Sequence, residues 1–561
     1  MKTYPDDIWE VAESLLRSGF GVFAGAGLSY GAGVPLANTL QRLVLCRLGF
    51  SETAIENFLK VDLPFEAVFE VLLSVSDCSL LLPVFAGLQP TRNHMLLAKL
   101  SGSNHLDTIV TTNFDSLIEE AFNREALTIQ AFVSEEELGN VDWAASSHRL
   151  IKLHGTIGDL SGLALTIRKV AARYLAASRG KVIREFLSQN RLGPCLVFGY
   201  RASDHFDISP AIRNINGPRR SVIYIQHDPS AVTPRHLRIA DYDPDHVFVA
   251  TNAEILVCDA NDLVSALWES AFGEPAPQVT LADESWVSHV DRWIDDICRQ
   301  NGEGFTLYLA GLLQKAANNW HDSNLLLQCA IDRGLEEALL AGVELARGNN
   351  YRDLCDAAQA RAALNLARDL AQTGGQSEKV ASALNSLGMV DEDEHLHDAA
   401  IANYEAALEI ASKVGYRELE GKCHGNIGIA QKNKGGDEHL AWAIYHHHRG
   451  LAIARGIGDK RSEGRCLGNL GITHSDIGDL DVAKIYYEKA LGIASELGDR
   501  LHVAIWLHNI GEDSIAVDKA RAAALLRKAT ALFRVLDQES SALQSESALR
   551  KIDEGGDSDY T

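Results

Sequence analysis

The second half of the chain contains a repeated helical pattern, and this repeat restricts that half to a stacked array of helical hairpins. A short motif ending in glycine recurs there at spacings of 40, 43 and 40 residues. The glycines are Gly388, Gly428, Gly471 and Gly511. Small residues at fixed helical offsets let two helices pack closely, and one hairpin cannot bury its apolar face alone. We therefore predict an all-α solenoid over residues 350–540, after a helical connecting region over residues 285–349.

A second set of recurring positions lies on the other helix of each unit. One copy carries Tyr404, Ala407, Leu408 and Ala411, and another carries Tyr487, Ala490, Leu491 and Ala494. With Gly388 and Gly471, this pattern resembles the tetratricopeptide family, in the longer-period form of kinesin light chains. That resemblance implies a concave surface for a protein partner. Three consecutive histidines, His446, His447 and His448, fall inside one repeat helix, and we interpret them as a surface or groove feature rather than a metal site.

Short β-rich runs alternate with helical stretches over the first half of the chain. Most are continuously apolar and bounded by polar or glycine residues, which is typical of strands buried on both faces. The runs are GFGVFAG (19–25), LDTIVTT (106–112), HRLIKL (148–153), CLVFGY (195–200), SVIYIQ (221–226) and a weaker one, HVFVAT (246–251). We predict an α/β domain with a Rossmann-like parallel sheet over residues 1–272. Segment 273–284, which contains two prolines, is the predicted linker.

Composition excludes several classes of function. The net charge of −24 repels nucleic acid and anionic membranes at long range, so we expect neither as a partner. No apolar run approaches the ~18 residues of a membrane-spanning helix, and the acidic amino terminus does not fit a signal peptide. The nine cysteines are scattered and no C-x-x-C pair occurs, which indicates a reducing cytoplasm and no zinc site. We expect residues 541–561 to form a partly disordered acidic tail.

Polar and glycine residues follow several of the predicted strands. The first run continues into a glycine-rich loop at residues 25–35, the second into Asn113 and Asp115, and the third into His154. Ligands of open parallel sheets bind outside the carboxyl ends of the strands, so these groups should meet at one site. A glycine loop before a helix lets backbone approach a phosphate, although it also suits a purely structural turn.

Each of these side chains has a chemical and a structural interpretation. A histidine near neutral pKa can take a proton from a hydroxyl or a water, or it can be a satisfied core residue. An amide can orient a hydroxyl, and a carboxylate can orient neighbours or stabilise a cationic sugar, yet Asn113 and Asp115 also suit N-caps. The loop lacks G-x-G-x-x-G because Tyr30 occupies the third glycine position, which disfavours a hydride-transfer dehydrogenase.

Three motifs in this order resemble the sirtuin family over residues 15–260. GAGLSYGAGVP matches its glycine motif at Gly25, Ala26, Gly27, Ser29, Gly33 and Pro35. TTNFD (111–115), which includes Thr112, resembles T-x-N-x-D, and LHG (153–155) matches the catalytic His-Gly. The resemblance implies NAD binding, His154 as base, Asn113 at the ribose or a water, and Asp115 in support. It places the glycine motif at the phosphates, with further nucleotide contacts at Gly199, Ser203, Asp204, Gln226 and Asp228.

Departures from the deacylase pattern indicate the subtype. Zinc-binding C-x-x-C pairs are missing, and Leu36-Ala37-Asn38 follows Pro35 where deacylases carry Asp-Phe-Arg. The chain looks more like the sirtuin-like NAD hydrolases of bacterial antiphage defence, such as the Thoeris effector and the defence-associated sirtuins. This likeness implies NAD cleavage by water, a repeat array that senses a trigger, and a homo-oligomer. A protein deacylase, an ADP-ribosyltransferase and an NAD-sensing scaffold remain as alternatives.

Overall fold

The computed structural model resolves two compact units, Met1–Ala317 and Asn318–Thr561. Some predicted features lie outside the described residues: Ser203, Asp204, the second half of the linker and the end of the tail. The described residues are 7–61, 65–77, 79–87, 89–144, 148–157, 178–188, 193–201, 208–213, 215, 219–231, 233–243, 246–251, 253–278, 285–497 and 499–554.

The first unit is built on an eight-stranded sheet. Its strands are β1 Phe20–Ala24, β2 Leu106–Thr111, β3 Gln130–Phe132, β4 Arg149–Lys152, β5 Cys195–Phe198, β6 Val222–His227, β7 Arg235–Arg238 and β8 Glu254–Cys258. They lie in the order β3-β4-β2-β1-β5-β6-β8-β7. All neighbours are parallel except β7, which pairs antiparallel with β8. The α/β fold class and five of the six predicted strands are confirmed.

The sixth predicted strand, 246–251, is wrong. Val247–Thr251 forms a 3₁₀ helix, in which the Thr251 hydroxyl donates to the carbonyl of Phe248 at 2.7 Å. The strand that belongs next to β6 is β8, a few residues later. Val247 and Phe248 are both buried. A short apolar run of this kind fits a strand and a buried helical turn equally well, and hydrophobic periodicity cannot distinguish the two.

β1 is the central strand, and its side chains separate two cores. Val22 is in register with Ile109 of β2 and Leu196 of β5, and all three belong to one apolar cluster. Phe23 points to the other face, where it joins Val110 of β2 in a second cluster. The chain leaves β1 toward β2 and later returns on the other side as β5. The carboxyl ends of β1 and β5 therefore flank the point where strand order reverses, which is where such sheets bind ligands.

Thirteen described helices cover the first unit. They are α1 Ile8–Ser18, α2 Ala37–Arg47, α3 Glu52–Lys60, α4 Phe65–Val75, α5 Arg92–Gly102, α6 Leu117–Arg124, α7 Glu135–Gly139, α8 Ser178–Ser188, α9 Ile208–Arg213, α10 Ile239–Tyr242, α11 Ala260–Phe272, α12 Val287–Asn301 and α13 Phe305–Ala316. The last two follow the predicted linker and pack against helices α2 and α4 and the 3₁₀ helix Ser79–Phe85. The buried Trp293 of α12 donates through Nε1 to the carbonyl of Asp77 at 3.1 Å.

The second unit is a stack of helices, in agreement with the predicted solenoid. Its described helices are α14 Trp320–Arg333, α15 Glu337–Asp353, α16 Ala357–Thr373, α17 Ser377–Asp393, α18 His397–Val414, α19 Arg417–Lys434, α20 Asp437–Ile457, α21 Lys460–Ile477, α22 Leu480–Glu496, α23 Arg500–Asp513, α24 Lys519–Val535 and α25 Glu539–Glu554. Consecutive helices from α15 onward pack as antiparallel neighbours. The helix α25 continues into the segment predicted as a partly disordered tail, as far as Glu554.

Three of the four repeat glycines mark where an aromatic ring of the following helix touches the backbone, whereas Gly511 faces Leu526. A Cβ at Gly388 would lie 2.7 Å from Cε1 of Tyr404, and one at Gly471 would lie 2.5 Å from Cδ1 of Tyr487. In the repeat between them, Gly428 faces His447 in the same way, at 2.5 Å from Cε1. His447 is fully buried, so its interpretation as a surface or groove feature is wrong. It occupies the tyrosine position of its repeat.

His447 is a poor substitute for that tyrosine. Neither of its ring nitrogens has a hydrogen-bond partner among the described residues. Burial, aided by the neighbouring His446, lowers the pKa of His447 to about 3, so the folded protein holds it neutral. An unpaired buried polar group costs ~1–3 kcal/mol. The ring position is therefore a weak point of the array.

We expect His447→Tyr to stabilise the second unit by about 1–2 kcal/mol at pH 7.5, because it removes two unpaired buried nitrogens. Since the folded pKa lies below the ordinary value of 6.5, protonation favours the unfolded state. The advantage of the variant should therefore widen as pH falls from about 6.5 toward 4. Chemical denaturation across this pH range measures the effect, and a pH-independent difference would contradict the assignment.

Candidate active site

A cavity of about 1190 Å³ lies along the carboxyl edge of the sheet, from β4 across β1 to β6. Nine of the predicted site residues line it: Ala26, Gly27, Pro35, Thr112, Asn113, Asp115, His154, Gly199 and Gln226. Four described ones stand outside the lining: Gly25, Ser29, Gly33 and Asp228. The fold thus brings the three candidate catalytic residues to one cavity, at the point where the strand order reverses.

The glycine loop forms two short 3₁₀ turns after β1 and is held against the end of β5. The N–H of Gly25 donates to the carbonyl of Phe198 at 3.0 Å, and the N–H of Gly27 donates to that of Gly199 at 2.9 Å. These two N–H groups are therefore used within the protein and are not free to hold a phosphate. The loop residues that line the cavity are Ala26, Gly27, Tyr30, Gly31, Val34 and Pro35.

Ser29 is fully buried beneath the cavity and is the centre of a polar network. Its hydroxyl donates to Oδ2 of Asp115 at 2.8 Å. Nδ2 of Asn113 donates to the same hydroxyl at 3.0 Å, and Nε2 of His94 lies 3.1 Å from it. Ser29 thus connects three buried side chains from the β2–α6 loop and from helix α5. Ser29 stands outside the cavity lining, and its predicted contact with a phosphate stays a prediction.

The amide of Asn113 is oriented by this network. Since its nitrogen donates to Ser29, its oxygen Oδ1 is the atom left over, and Oδ1 is buried without a partner among the described residues. Asn113 itself lines the cavity. A buried carbonyl oxygen without a donor is rare in folded proteins and marks a place where a ligand or water donates. The site therefore offers a neutral acceptor to a hydroxyl group.

Asp115 has both carboxylate oxygens engaged. Oδ2 accepts from Ser29, and Oδ1 accepts from the N–H of Leu117 at 3.1 Å, which caps helix α6. Burial raises the pKa of Asp115, while its hydrogen bonds to Ser29 and Leu117 oppose that rise. A carboxylate used in this way orients its neighbours rather than attacking a ligand.

Lys152, the last residue of β4, connects the loop after β2 to the loop after β4. Its buried ammonium donates to the carbonyl of Asp115, to Oε1 of Glu119 at 3.0 Å and to the hydroxyl of Thr156 at 3.3 Å. Asp115 and Glu119 belong to the segment after β2, and Thr156 follows His154. The lysine therefore fixes the loop of Asn113 relative to the loop of His154.

His154 is buried at the end of β4 and lines the cavity beside a series of aromatic rings. Its ring centroid lies 6.1 Å from that of Phe114, which lies 5.4 Å from that of Phe85. Phe85 in turn contacts Phe65 of helix α4 at 6.1 Å. Phe65, Phe85 and Phe114 also line the cavity. This wall gives the His154 end of the cavity an apolar side that restricts access of water.

The other end of the cavity is more polar. Gln226 and Asn261 line it, and Arg92 donates through Nη2 to Oδ1 of Asn261 at 3.0 Å. Asp228, predicted beside the nucleotide, instead accepts from the N–H of Ser230 at 3.0 Å and caps a turn outside the lining. The hydrogen bonds from Ser230 lower the pKa of this exposed carboxyl.

Sequence reasoning missed His94, Lys152 and the aromatic wall. His94 stands three residues after Thr91, the spacing of a capping box, and this spacing gives no sign of a contact with Ser29. Within the described residues, no three His, Cys, Asp or Glu side chains group as metal ligands do. Nor does any described helix combine the length and apolar character needed to cross a membrane.

Two family models match parts of the chain. A model described as SIR2-like domain matches residues 107–243, and one described as tetratricopeptide repeat matches residues 464–497. The chain therefore contains a SIR2-like domain, which is consistent with an NAD-dependent enzyme, and a repeat of a type that binds proteins. No curated protein sequence matches it significantly.

Solved structures with a similar helical stack include a Rap protein complexed with competence and sporulation factor, at 15% identity, with 48% of this chain and 80% of that chain covered and a TM-score of 0.35. The apo form of RapI is 14% identical, with 45% of this chain and 97% of that chain covered and a TM-score of 0.38. Aspartyl phosphate phosphatase F from Bacillus subtilis is 12% identical, with 47% of this chain and 74% of that chain covered and a TM-score of 0.36. TM-scores this low carry no argument about function.

Proposed function

We propose that the first unit is an NAD⁺ hydrolase, which converts NAD⁺ and water into nicotinamide and ADP-ribose. The observation that carries this proposal is the unpaired, buried Oδ1 of Asn113 in the same cavity as His154. A buried amide oxygen suits a ribose hydroxyl or the attacking water, and a neighbouring imidazole suits the proton that must leave.

The cavity fits a dinucleotide. Its volume of about 1190 Å³ exceeds the ~300–1,000 Å³ of most small-molecule sites. It follows the sheet edge from His154 after β4 to Gln226 of β6, with aromatic rings beside His154 and polar groups at Gln226 and Asn261. At the middle it is lined by backbone of Ala26, Gly27 and Gly199, which leaves close approach for a pyrophosphate. Each part of NAD⁺ thus has a chemically suitable neighbour.

The residues divide the work as follows. NAD⁺ supplies a glycosidic bond whose electron pair passes to the nicotinamide nitrogen on cleavage. Oδ1 of Asn113 accepts from the hydroxyl or water beside that bond. His154 takes the proton that the water loses as its oxygen bonds to the ribose carbon. Ser29, Asp115 and Lys152 hold Asn113 in place, and Phe114 limits other water.

We further propose that the repeats gate this activity, because unrestrained NAD⁺ hydrolysis would be toxic. A protein trigger, for example one encoded by a phage, would bind the second unit of a cytoplasmic homo-oligomer. Depletion of NAD⁺ would then stop growth of the infected cell. This role depends on the likeness to antiphage NAD hydrolases and not on the chemistry of the site.

Product analysis of purified full-length protein with NAD⁺ tests the enzymatic proposal. We expect equal amounts of nicotinamide and ADP-ribose, with oxygen from ¹⁸O-labelled water in the ADP-ribose. Asn113→Ala should lower the rate of nicotinamide release by about 100-fold, since it removes the oxygen that accepts a hydrogen bond from the ribose hydroxyl or the water. Acyl-ADP-ribose or labelled protein would instead indicate a deacylase or an ADP-ribosyltransferase. Tight NAD⁺ binding without turnover, with and without candidate triggers, would indicate a sensing scaffold.

A further inference from the structure

We propose that His94 is a positioning residue of this site, which acts through Ser29 to fix the orientation of the Asn113 amide. The proposal rests on the hydrolase function above, because it explains how the acceptor atom of that reaction is presented. His94 lies on helix α5, outside the three motifs that define the site, and stands in contact with Ser29 rather than in the cavity lining.

The tautomer of His94 follows from its partner at Nδ1. The backbone N–H of Thr91 donates to Nδ1 at 3.1 Å and cannot accept, so the Thr91 hydroxyl, 2.9 Å from Nδ1, donates to it as well. Nδ1 therefore carries the lone pair. Burial lowers the pKa of His94 to about 3, so the ring is neutral and its single proton is on Nε2. Nε2 then donates to the Ser29 hydroxyl, 3.1 Å away.

With this donation, the Ser29 hydroxyl makes every hydrogen bond of which it is capable. A hydroxyl has one proton and two acceptor lone pairs. His94 and Asn113 fill the two lone pairs, so the proton of Ser29 goes to Oδ2 of Asp115. With all three positions occupied, the hydroxyl has one orientation, and the Asn113 amide has one as well.

The consequence reaches the cavity through Asn113. Its nitrogen is directed at Ser29, so its oxygen Oδ1 is the atom available to a ligand. Without the donor on His94, Ser29 keeps an unfilled lone pair and is held only by Asp115 and Asn113. The Asn113 amide is then positioned less tightly, and a small displacement of a catalytic group is enough to cost about 10²-fold in rate.

Two substitutions separate this role from helix capping, because His94 also pairs with the N-cap residue Thr91. His94→Asn places an amide near the position of Nδ1 and keeps the partner of Thr91, but it does not reach Ser29. His94→Gln extends an amide to the position of Nε2 and restores the donor. We expect His94→Asn to lower kcat for NAD⁺ hydrolysis about 30–100-fold with KM changed less than about 3-fold, and His94→Gln to recover most of kcat.

A capping role alone predicts that both variants are active in proportion to their stability, and wild-type kcat in folded His94→Asn would overturn the proposal. If His94→Asn does not fold, the wild-type protein still decides the matter. Selective ¹⁵N labelling of histidine, with His94→Gln for assignment, should show the neutral Nε2–H tautomer at pH 7, and the Nδ1–H tautomer would refute it. Because this measurement needs no turnover, it remains valid if the protein proves not to hydrolyse NAD⁺.

Discussion

His154→Ala is expected to lower kcat for NAD⁺ hydrolysis by about 10²–10⁴-fold, the usual contribution of a positioned general base. The imidazole lies in the cavity lining at the end of β4, and the ring of Phe114 packs beside it. In the alanine variant, water must lose its proton to solvent from a site with an apolar wall. Because the glycine loop and the polar end of the cavity are unchanged, we expect KM to change little.

Nicotinamide release measured over a range of pH tests this expectation. His148→Ala is the matched control, since His148 stands before the amino end of β4 while His154 stands after its carboxyl end. The control should retain activity within about 3-fold, as is usual for a substitution away from the site. Activity of His154→Ala equal to that of His148→Ala would remove His154 from the mechanism and leave Asn113 to act with solvent alone.

Most of the strands that sequence reasoning found have the simplest environment, although β8, which is buried to a similar extent, was missed. β1, β2 and β5 are buried on both faces, so their apolar runs are continuous and unambiguous. β7 is an edge strand with exposed arginines at both ends and lacks such a run. β3 has three residues and begins with an exposed glutamine. Edge strands depend on pairing partners that local sequence does not reveal.

The site residues divide in the same way, into those that local sequence predicts and those that depend on distant contacts. Asn113, Asp115 and His154 were predictable because the carboxyl ends of parallel strands meet at one edge, whatever the loops do. His94 and Lys152 were not, because their roles depend on contacts between segments far apart in the chain, such as Ser29 with His94. The place of the glycine loop after the first strand was predictable, but only the structure reveals that the N–H groups of Gly25 and Gly27 already have acceptors. Hydrogen-bond partners of a loop are set by the tertiary fold rather than by its residue types.

Gly199→Ala is expected to have the largest effect on the fold of the site. Gly199 has a φ of +67°, where an L residue is strained by ~1–2 kcal/mol. A Cβ there would also lie 2.6 Å from the backbone nitrogen of Leu28 and 2.9 Å from the carbonyl carbon of Gly27. These are backbone atoms, so relief requires the glycine loop to move away from β5. We expect a loss of more than about 3 kcal/mol in stability and no detectable NAD⁺ binding.

Gly273→Ala isolates the steric part of this effect. Gly273 ends helix α11 with nearly the same φ, +69°, but a Cβ there would meet nothing within 4 Å. It should therefore cost only the ~1–2 kcal/mol of backbone strain and leave NAD⁺ binding intact. Thermal unfolding and calorimetric titration with NAD⁺ compare the two variants. Equal losses would mean that strain alone matters at Gly199, whereas a larger loss for Gly199→Ala, with binding abolished, would show that the cavity depends on contact between the β1 and β5 turns.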